Sequence, residues 1–281
     1  MRSAYYPPKY NLLEPLGQGG FGIVHKAQRT SDGKIVAIKT LNQPGSRSHL
    51  QRFVNEAKDL WLLQNHPHIV ELIDYEFQGP TPYIAMEFCE FGSLRAQSLT
   101  YDSIFVHAQG IASGLAEIHN RGGIHRDIKP ENLLLARGLD GQPVVKISDF
   151  GLANVPTNFA PNITQNARGT TLYWAPELFQ GKPCTPATDV FALGTTLIEL
   201  LTGSRQPDSL FWFFNVPGQF KKLLKRMVSF VPKNRPTCVQ ILDELSNIPS
   251  KRHFTAEHVL VAGVGLGVAA LIASSSSRSS A

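Results

Sequence analysis

Cysteine is scarce in this chain. Cys89, Cys184 and Cys238 are the only three in 281 residues. They are odd in number, far apart and without a CxxC spacing, which argues against a disulfide framework and a structural zinc site. A reducing cytosol fits that usage. A strong charge of one sign is also missing, since 27 Lys+Arg against 22 Asp+Glu leave +5. That excess suits anionic partners such as nucleotides or acidic lipids but falls short of the footprint of a nucleic-acid binder, so no nucleic-acid partner is expected. Met1 to Tyr10 contains Tyr5, Tyr6, Pro7 and Pro8 but no apolar run, and no secretory signal peptide is readable there. No stretch repeats at a fixed period, which sets aside solenoids and propellers. Core-forming material is ample, with 42% hydrophobic and 9% aromatic residues, so global disorder is not expected. The length allows about one large domain or two small ones.

The first third reads as β-rich. Tyr10–Glu14, Gly22–Ala27 and Ile35–Lys39 are short strand-like runs, the last two separated by the turn signal Ser31-Asp32-Gly33. Ser48 to Gln64 has apolar residues at Leu50, Phe53, Val54, Ala57, Leu60, Trp61 and Leu62, close to the 3.6 period of an amphipathic helix. Two more strands are predicted over Ile69–Phe77 and Tyr83–Phe88, divided by Gly79-Pro80. After Gly92 the texture becomes helical. Asp102–Asn120 and Asp189–Leu201 read as buried helices, Phe220–Val228 and Thr237–Leu245 as shorter ones. Between the long helices lies a loop-rich region, Gly122 to Gln180, dense in Asp, Asn, Lys and Gly. Loops this polar usually carry function rather than packing.

Three clusters carry chemistry. Gly17-Gln18-Gly19-Gly20-Phe21-Gly22 is a GxGxxG between two strands. A Rossmann turn would open a helix, so this one reads either as a hairpin lying over phosphates or as a plain flexible hairpin. Val36-Ala37-Ile38-Lys39 ends an apolar strand in a lysine, whose ammonium, if buried, needs an anion. A nucleotide phosphate and Glu56 are the two candidates, and an edge lysine in water is the plain alternative. Glu56 has Leu60 one turn later on the same helix face. The third cluster is Ile124-His125-Arg126-Asp127-Ile128-Lys129-Pro130-Glu131-Asn132, followed by Asp149-Phe150-Gly151.

With these five motifs in order, Ala175-Pro176-Glu177 included, the sequence resembles the eukaryotic-type (Hanks-type) protein serine/threonine kinase family from about Tyr10 to Leu245. Asp189, Gly194 and Arg235 match that family's large-lobe Asp, Gly and Arg. The resemblance implies an α+β, two-lobed protein kinase fold, with a small β-rich N-lobe bearing one helix and a larger, mainly helical C-lobe. It implies ATP and Mg²⁺ as cofactors and protein substrates as partners. The implied domain runs over 10–248, its N-lobe about 10–88 and its C-lobe about 89–248, after an extension at 1–9. By resemblance, the backbone of Gly17, Gln18, Gly19, Gly20, Phe21 and Gly22 covers the phosphates, and Lys39, oriented by Glu56, engages the α and β phosphates. Asp149 and Asn132 would hold Mg²⁺, which prefers hard oxygens. Asp127 would orient the substrate hydroxyl and accept its proton, with Lys129 directed at the transferred group. Leu16, Val24, Ala37 and Leu134 would sandwich the purine, the backbone of Glu87 and Cys89 would bind its edge, and Met86 would be the gatekeeper.

Lys129-Pro130 and Thr170 resemble the serine/threonine branch, in which that threonine ties Asp127 to Lys129. Glu131 matches a position that in some relatives contacts a basic residue before the target site; a solvated carboxylate is the alternative. Arg126 needs an anion, and a phosphate on Thr164 is the expected source. Asn162-Ile163-Thr164 also matches a glycosylation sequon, which a cytosolic domain would not use. Pro207–Pro217, with Phe211, Trp212, Phe213 and Phe214, replaces the family's usual helix, and that aromatic cluster either seals the lobe or marks a partner site. Glu177 and Arg235 match a buried ion pair.

The end of the chain has a basic linker at 249–258, an uncharged apolar run at 259–273 and a Ser-rich tail at 274–281. As a helix the 15-residue run spans about 22 Å against a hydrocarbon core near 30 Å. It is a candidate single span that would bring membrane lipid as a partner and keep the kinase domain cytoplasmic, with Gly263 and Gly267 forming a GxxxG. A disordered tail or a helix docked on the domain are the other readings. Two functional alternatives accompany the kinase reading: a pseudokinase or scaffold module, and a small-molecule kinase of related fold. Nothing in the sequence specifies an oligomeric state.

Overall fold

The computed structural model describes residues 9–18, 22–41, 47–79, 81–150, 170–212 and 216–248. Five strands form the first layer: β1 (Tyr10–Gln18), β2 (Gly22–Arg29), β3 (Ile35–Leu41), β4 (Leu72–Glu76) and β5 (Tyr83–Glu87). They pair antiparallel in the order β1-β2-β3-β5-β4. Because side chains alternate along a strand, Val36 and Ile38 point to one face, where they join Tyr10, Ala27, Tyr83 and Ala85 in a small cluster of their own. Ala37, Lys39 and Leu41 take the other face. Helix α1 (Arg47–Leu62) buries Phe53, Glu56, Ala57 and Leu60, one stripe at helical spacing. Trp61 and Leu62, which the periodicity placed with that stripe, are each 59% exposed. They continue the apolar run but fall off the buried face.

The second part is helical. Its helices are α2 (Tyr101–Asn120), α3 (Pro176–Phe179), α4 (Pro186–Thr202), α5 (Gly218–Met227) and α6 (Cys238–Ser246). Thr100 caps α2 by accepting from the Ser103 amide at 3.2 Å. Helix α4 starts with a Thr185/Thr188 capping box and proline in its first turn, and ends at Gly203 with φ 70°. These are the signals that start and stop helices. Gly194 is dictated by packing, since a Cβ there would lie 2.8 Å from Met227 Cβ. One continuous core runs from Phe53, Leu60 and Ile84 through Ile111 and Leu115 to Leu197, Phe220 and Ile241.

Three expectations change. The strand expected over 69–77 is confined to Leu72–Glu76, because the stretch before it pairs elsewhere. Val70 donates to Ile147 O at 3.0 Å, and the Ile147 amide donates to His68 O at 2.9 Å. The region expected to be loop-rich contains an antiparallel hairpin, β6 (Leu133–Arg137) with β7 (Pro143–Ile147). Pro207–Trp212 is a 3-10 turn that buries Leu210. The rest of the Phe211–Phe214 cluster, Thr164 with its sequon, and the whole tail with its GxxxG lie outside the described residues. No described helix is long and apolar enough to cross a membrane. All three cysteines are buried free thiols.

Candidate active site

Lys39 sits on β3 opposite Val24 of β2 and Ile84 of β5, and directly opposed residues share a face of the sheet. Its Nζ is 2.7 and 2.9 Å from the two Glu56 oxygens and 2.9 Å from Asp149 Oδ1. Both members of the Lys39–Glu56 pair are buried. Burial alone would push the Lys39 ammonium down, but the carboxylates of Glu56 and Asp149 reverse this and hold it above its ordinary value. The structure therefore answers the question of Lys39's protein partner with Glu56, and adds Asp149 from the second part of the chain.

The hairpin explains how Asn132 and Asp149 meet. Leu133 is paired with Ile147, so the residues just outside that pair are brought side by side, and the Ser148 amide donates to Asn132 O at 2.9 Å. Asp149 has φ 65° and Arg126 φ 70°, a left-handed conformation that L residues seldom adopt without support. At Arg126 the support is Asp189, in the first turn of α4. Its fully buried carboxylate accepts from the amides of His125 and Arg126, each at 2.8 Å. His119 Nε2 lies 2.9 Å from the same carboxylate, with its Nδ1 3.6 Å from Cys238 Sγ. His125 is buried, 3.1 Å from Ser148 O through Nε2 and edge-on to Phe150 at 5.0 Å. Sequence reasoning assigned no task to His119, His125 or Ser148 and only a family match to Asp189. A charged residue opening an otherwise apolar helix was the one available signal.

Asp127 is held on one side only. Its Oδ2 receives Lys129 Nζ at 2.8 Å and Asn132 Nδ2 at 2.9 Å, and the other Asn132 N–H reaches the Asp127 carbonyl at 2.8 Å. Its Oδ1 is buried and has no hydrogen-bond partner among the described residues. A buried acceptor without a donor costs about 1–3 kcal/mol, so the site favours any donor that arrives there. Burial pushes the Asp127 carboxyl up, against the pull of Lys129. Asp149 is displaced the other way, because Lys39 holds it below the usual carboxylate range. Two acids set in opposite directions within one cleft form the pattern that separates proton acceptor from permanent anion.

The remaining predicted residues are placed as follows. Gly17 and Gln18 end β1 and pair with Val24 and Ile23. Gly22 has a packing reason of its own, since a Cβ there would lie 2.3 Å from Thr40 O. Gly19, Gly20 and Phe21 lie outside the described residues. Ala37 and Met86 are buried and paired across β3 and β5, Val24 and Leu134 are half-buried, and Leu16 is exposed. The Glu87 amide donates to Glu71 O at 2.9 Å, its side chain meets Lys146 at 2.9 Å, and the Cys89 carbonyl accepts from Gly92 at 3.1 Å.

The sequence profile of the protein kinase domain matches residues 10–211. The chain belongs to the protein kinase family. Its two parts are the lobes of that fold, a small one built on the β-sheet with α1 and a larger helical one. Among relatives, the serine/threonine-protein kinase PknK of Mycobacterium tuberculosis strain H37Rv is 34% identical over 200 residues, 69% of this chain and 18% of that protein. Serine/threonine protein kinase OSK3 of Oryza sativa subsp. japonica is 36% identical over 224 residues, covering 76% and 42% of the two chains. Serine/threonine-protein kinase Nek8 of Danio rerio is 32% identical over 256 residues, covering 87% and 35%. The chain thus spans less than half the length of each of these kinases. Within this kinase domain Glu177 and Arg235 form a two-point pair at 2.6 and 2.7 Å, and the Arg235 guanidinium lies 4.9 Å from the Phe191 ring centroid.

Proposed function

We propose that the chain is a protein kinase that transfers the γ-phosphate of ATP to serine and threonine hydroxyls of proteins, with Mg²⁺ as the accompanying cation. One observation carries the reading: Asp127 has one oxygen fixed by Lys129 and Asn132 and the other buried without a donor among the described residues. A hydroxyl donating to Oδ1 completes that oxygen's shell and is thereby aimed, and its proton passes to the carboxylate as the oxygen attacks. Burial, which raises the Asp127 carboxyl, makes it a stronger base than a surface aspartate. Lys129 holds the carboxylate still and adds positive charge beside the acceptor, which suits a reaction governed by positioning and electrostatics.

The donor set fits magnesium. Both Asn132 amide hydrogens are committed to Asp127, so the side chain presents its carbonyl oxygen, and Asp149, with Oδ1 at Lys39, keeps Oδ2. These are hard oxygens of the kind Mg²⁺ takes alongside phosphate. When bound there, the cation would neutralise charge on the phosphates of ATP. Lys39, oriented by Glu56, binds the α and β phosphates. Ala37, Val24, Leu16 and Leu134 enclose the purine, whose edge meets the Glu87 carbonyl and the Cys89 amide. Serine/threonine choice is supported by Lys129-Pro130 after Asp127 and by the relatives' names. The presence of Lys39, Asp127, Asn132 and Asp149 together weighs against a scaffold without activity. Incubation with radiolabelled ATP and a generic protein substrate, followed by acid hydrolysis, is expected to give phosphoserine and phosphothreonine. Phosphotyrosine alone, or no protein-bound label, would reject the proposal.

A further inference from the structure

Beside the catalytic segment lies a second charged cluster that the proposed chemistry does not use. Arg95, in the 3-10 turn Leu94–Ala96, places Nε 2.8 Å from Glu131 Oε1, Nη1 3.0 Å from Glu199 Oε1 and Nη2 3.3 Å from Glu199 Oε2. Arg205 reaches Glu199 Oε1 at 2.7 Å and lays its guanidinium 5.1 Å from the Tyr173 ring centroid. The Tyr173 hydroxyl donates to Glu199 Oε2 at 2.6 Å. Glu199 thus accepts three hydrogen bonds, two from Arg95 and one from Tyr173, and forms a further ion pair with Arg205.

The cluster joins the surface where a substrate must lie. Glu131 belongs to the catalytic segment itself, between Asp127 and Asn132, and Tyr173 lines a small pocket together with Asp127. The side chains of Arg95 and Glu131 are 38% and 46% exposed, so a peptide whose hydroxyl is at Asp127 can touch this edge. Glu199, at 9%, is sealed beneath it. Two carboxylates at such an edge would by themselves draw in a lysine or arginine of the substrate. Here the chain supplies both cations internally, which brings the formal charge of the cluster to zero and leaves the Arg95 guanidinium exposed at the edge beside Glu131. An incoming basic side chain meets an anion already paired and a like charge beside it, and juxtaposed like charges select against a partner.

The geometry points to Arg95 as a specificity-determining residue that closes an acidic subsite, so that the enzyme prefers acceptor peptides with an uncharged or acidic residue over Glu131. This rests on the protein kinase reading above. The test uses the full chain and serine acceptor peptides with Arg, Ala or Glu at each of the four positions on either side of the serine. The readout is the ratio of kcat/KM for the Arg peptide to that for the Ala peptide. For the unmodified enzyme the ratio is expected to be at or below one at every position. Arg95→Ala should raise it about tenfold at one position, the scale of one charge-assisted contact, and adding Glu131→Gln should remove that gain. A ratio that stays within twofold on Arg95→Ala overturns the inference, as does an unmodified enzyme that already selects Arg. A uniform loss on all peptides with a lowered melting temperature makes Arg95 a structural residue and also overturns it. Failure of the kinase reading looks different: no peptide is labelled, and the Asp127→Asn enzyme is indistinguishable from the unmodified one.

Discussion

Replacing Arg235 with methionine removes a side chain with no exposed surface and strands Glu177, whose side chain is 6% exposed. The loss goes beyond one ion pair. Arg235 also donates to Ser229 O and Ala187 O, each at 2.9 Å, so two carbonyls lose a donor when it is removed. Breaking a buried pair by removing one partner costs about 3–5 kcal/mol, because a charge remains without compensation. That is a large share of a domain stability of about 5–15 kcal/mol. At about 2–4 °C per kcal/mol for a domain of this size, the melting temperature should fall by roughly 6–20 °C. Calorimetry or circular dichroism on both proteins measures this. The double variant Glu177→Gln/Arg235→Met should lose less than the sum of the single changes, since it removes the stranded charge. Arg235 holds Glu177 below the usual glutamate value against the upward push of burial. The pair's contribution is therefore present above pH 4.5, the ordinary value, and fades as pH falls through the lower folded value. The gap between the unmodified protein and Arg235→Met should narrow over that acid range. A loss below 1 kcal/mol at neutral pH, or strict additivity in the double variant, would refute the reasoning.

Two further outcomes follow from packing and titration. Gly22→Ala should destabilise the small lobe by about 1–3 kcal/mol, the usual cost of forcing atoms into a packed site, because the new methyl would meet Thr40 O at 2.3 Å; an unchanged melting curve would contradict it. His66, His68 and His107 are all pushed below the ordinary value of 6.5, chiefly by burial. Lys146 adds to the push on His66 and His68, and Glu117 opposes it on His66. The unfolded chain then binds more protons, so their contribution is complete above pH 6.5 and is lost as pH falls through the folded values. Denaturation at pH 7 and pH 5 should show this drop, and His68→Gln should shrink it. A drop of equal size in the variant would remove His68 from the explanation.

Much of the fold was legible because local chemistry and global structure agree. Val36 to Lys39 reads as an apolar strand ending in a lysine and is buried throughout in β3, and the spacing of Glu56 and Leu60 put them on the buried face of α1. The segment proposed to be catalytic was readable because Asp127, Lys129 and Asn132 are neighbours in sequence and their contacts are local. The β6–β7 hairpin was not, because each strand has five residues and is embedded in polar sequence. Its effect on Asn132 and Asp149 depends on register, which composition does not encode. Asp189 clamps amides more than sixty positions away, and the Arg95 cluster draws on four segments separated along the chain. Trp61 and Leu62 show the converse limit, since a helical period extended by two residues marks an apolar run without saying which side chains the core accepts.

The central claim is that Asp127 is the proton acceptor of a phosphoryl transfer whose other groups remain intact without it. Asp127→Asn keeps an oxygen and the side-chain volume but removes the base. Single-turnover transfer of phosphate from ATP to a serine peptide should slow by about 10²–10⁴-fold, while nucleotide affinity, measured in parallel by fluorescence titration, stays within about twofold. Transfer at the unmodified rate in Asp127→Asn, with nucleotide bound as before, would contradict the account.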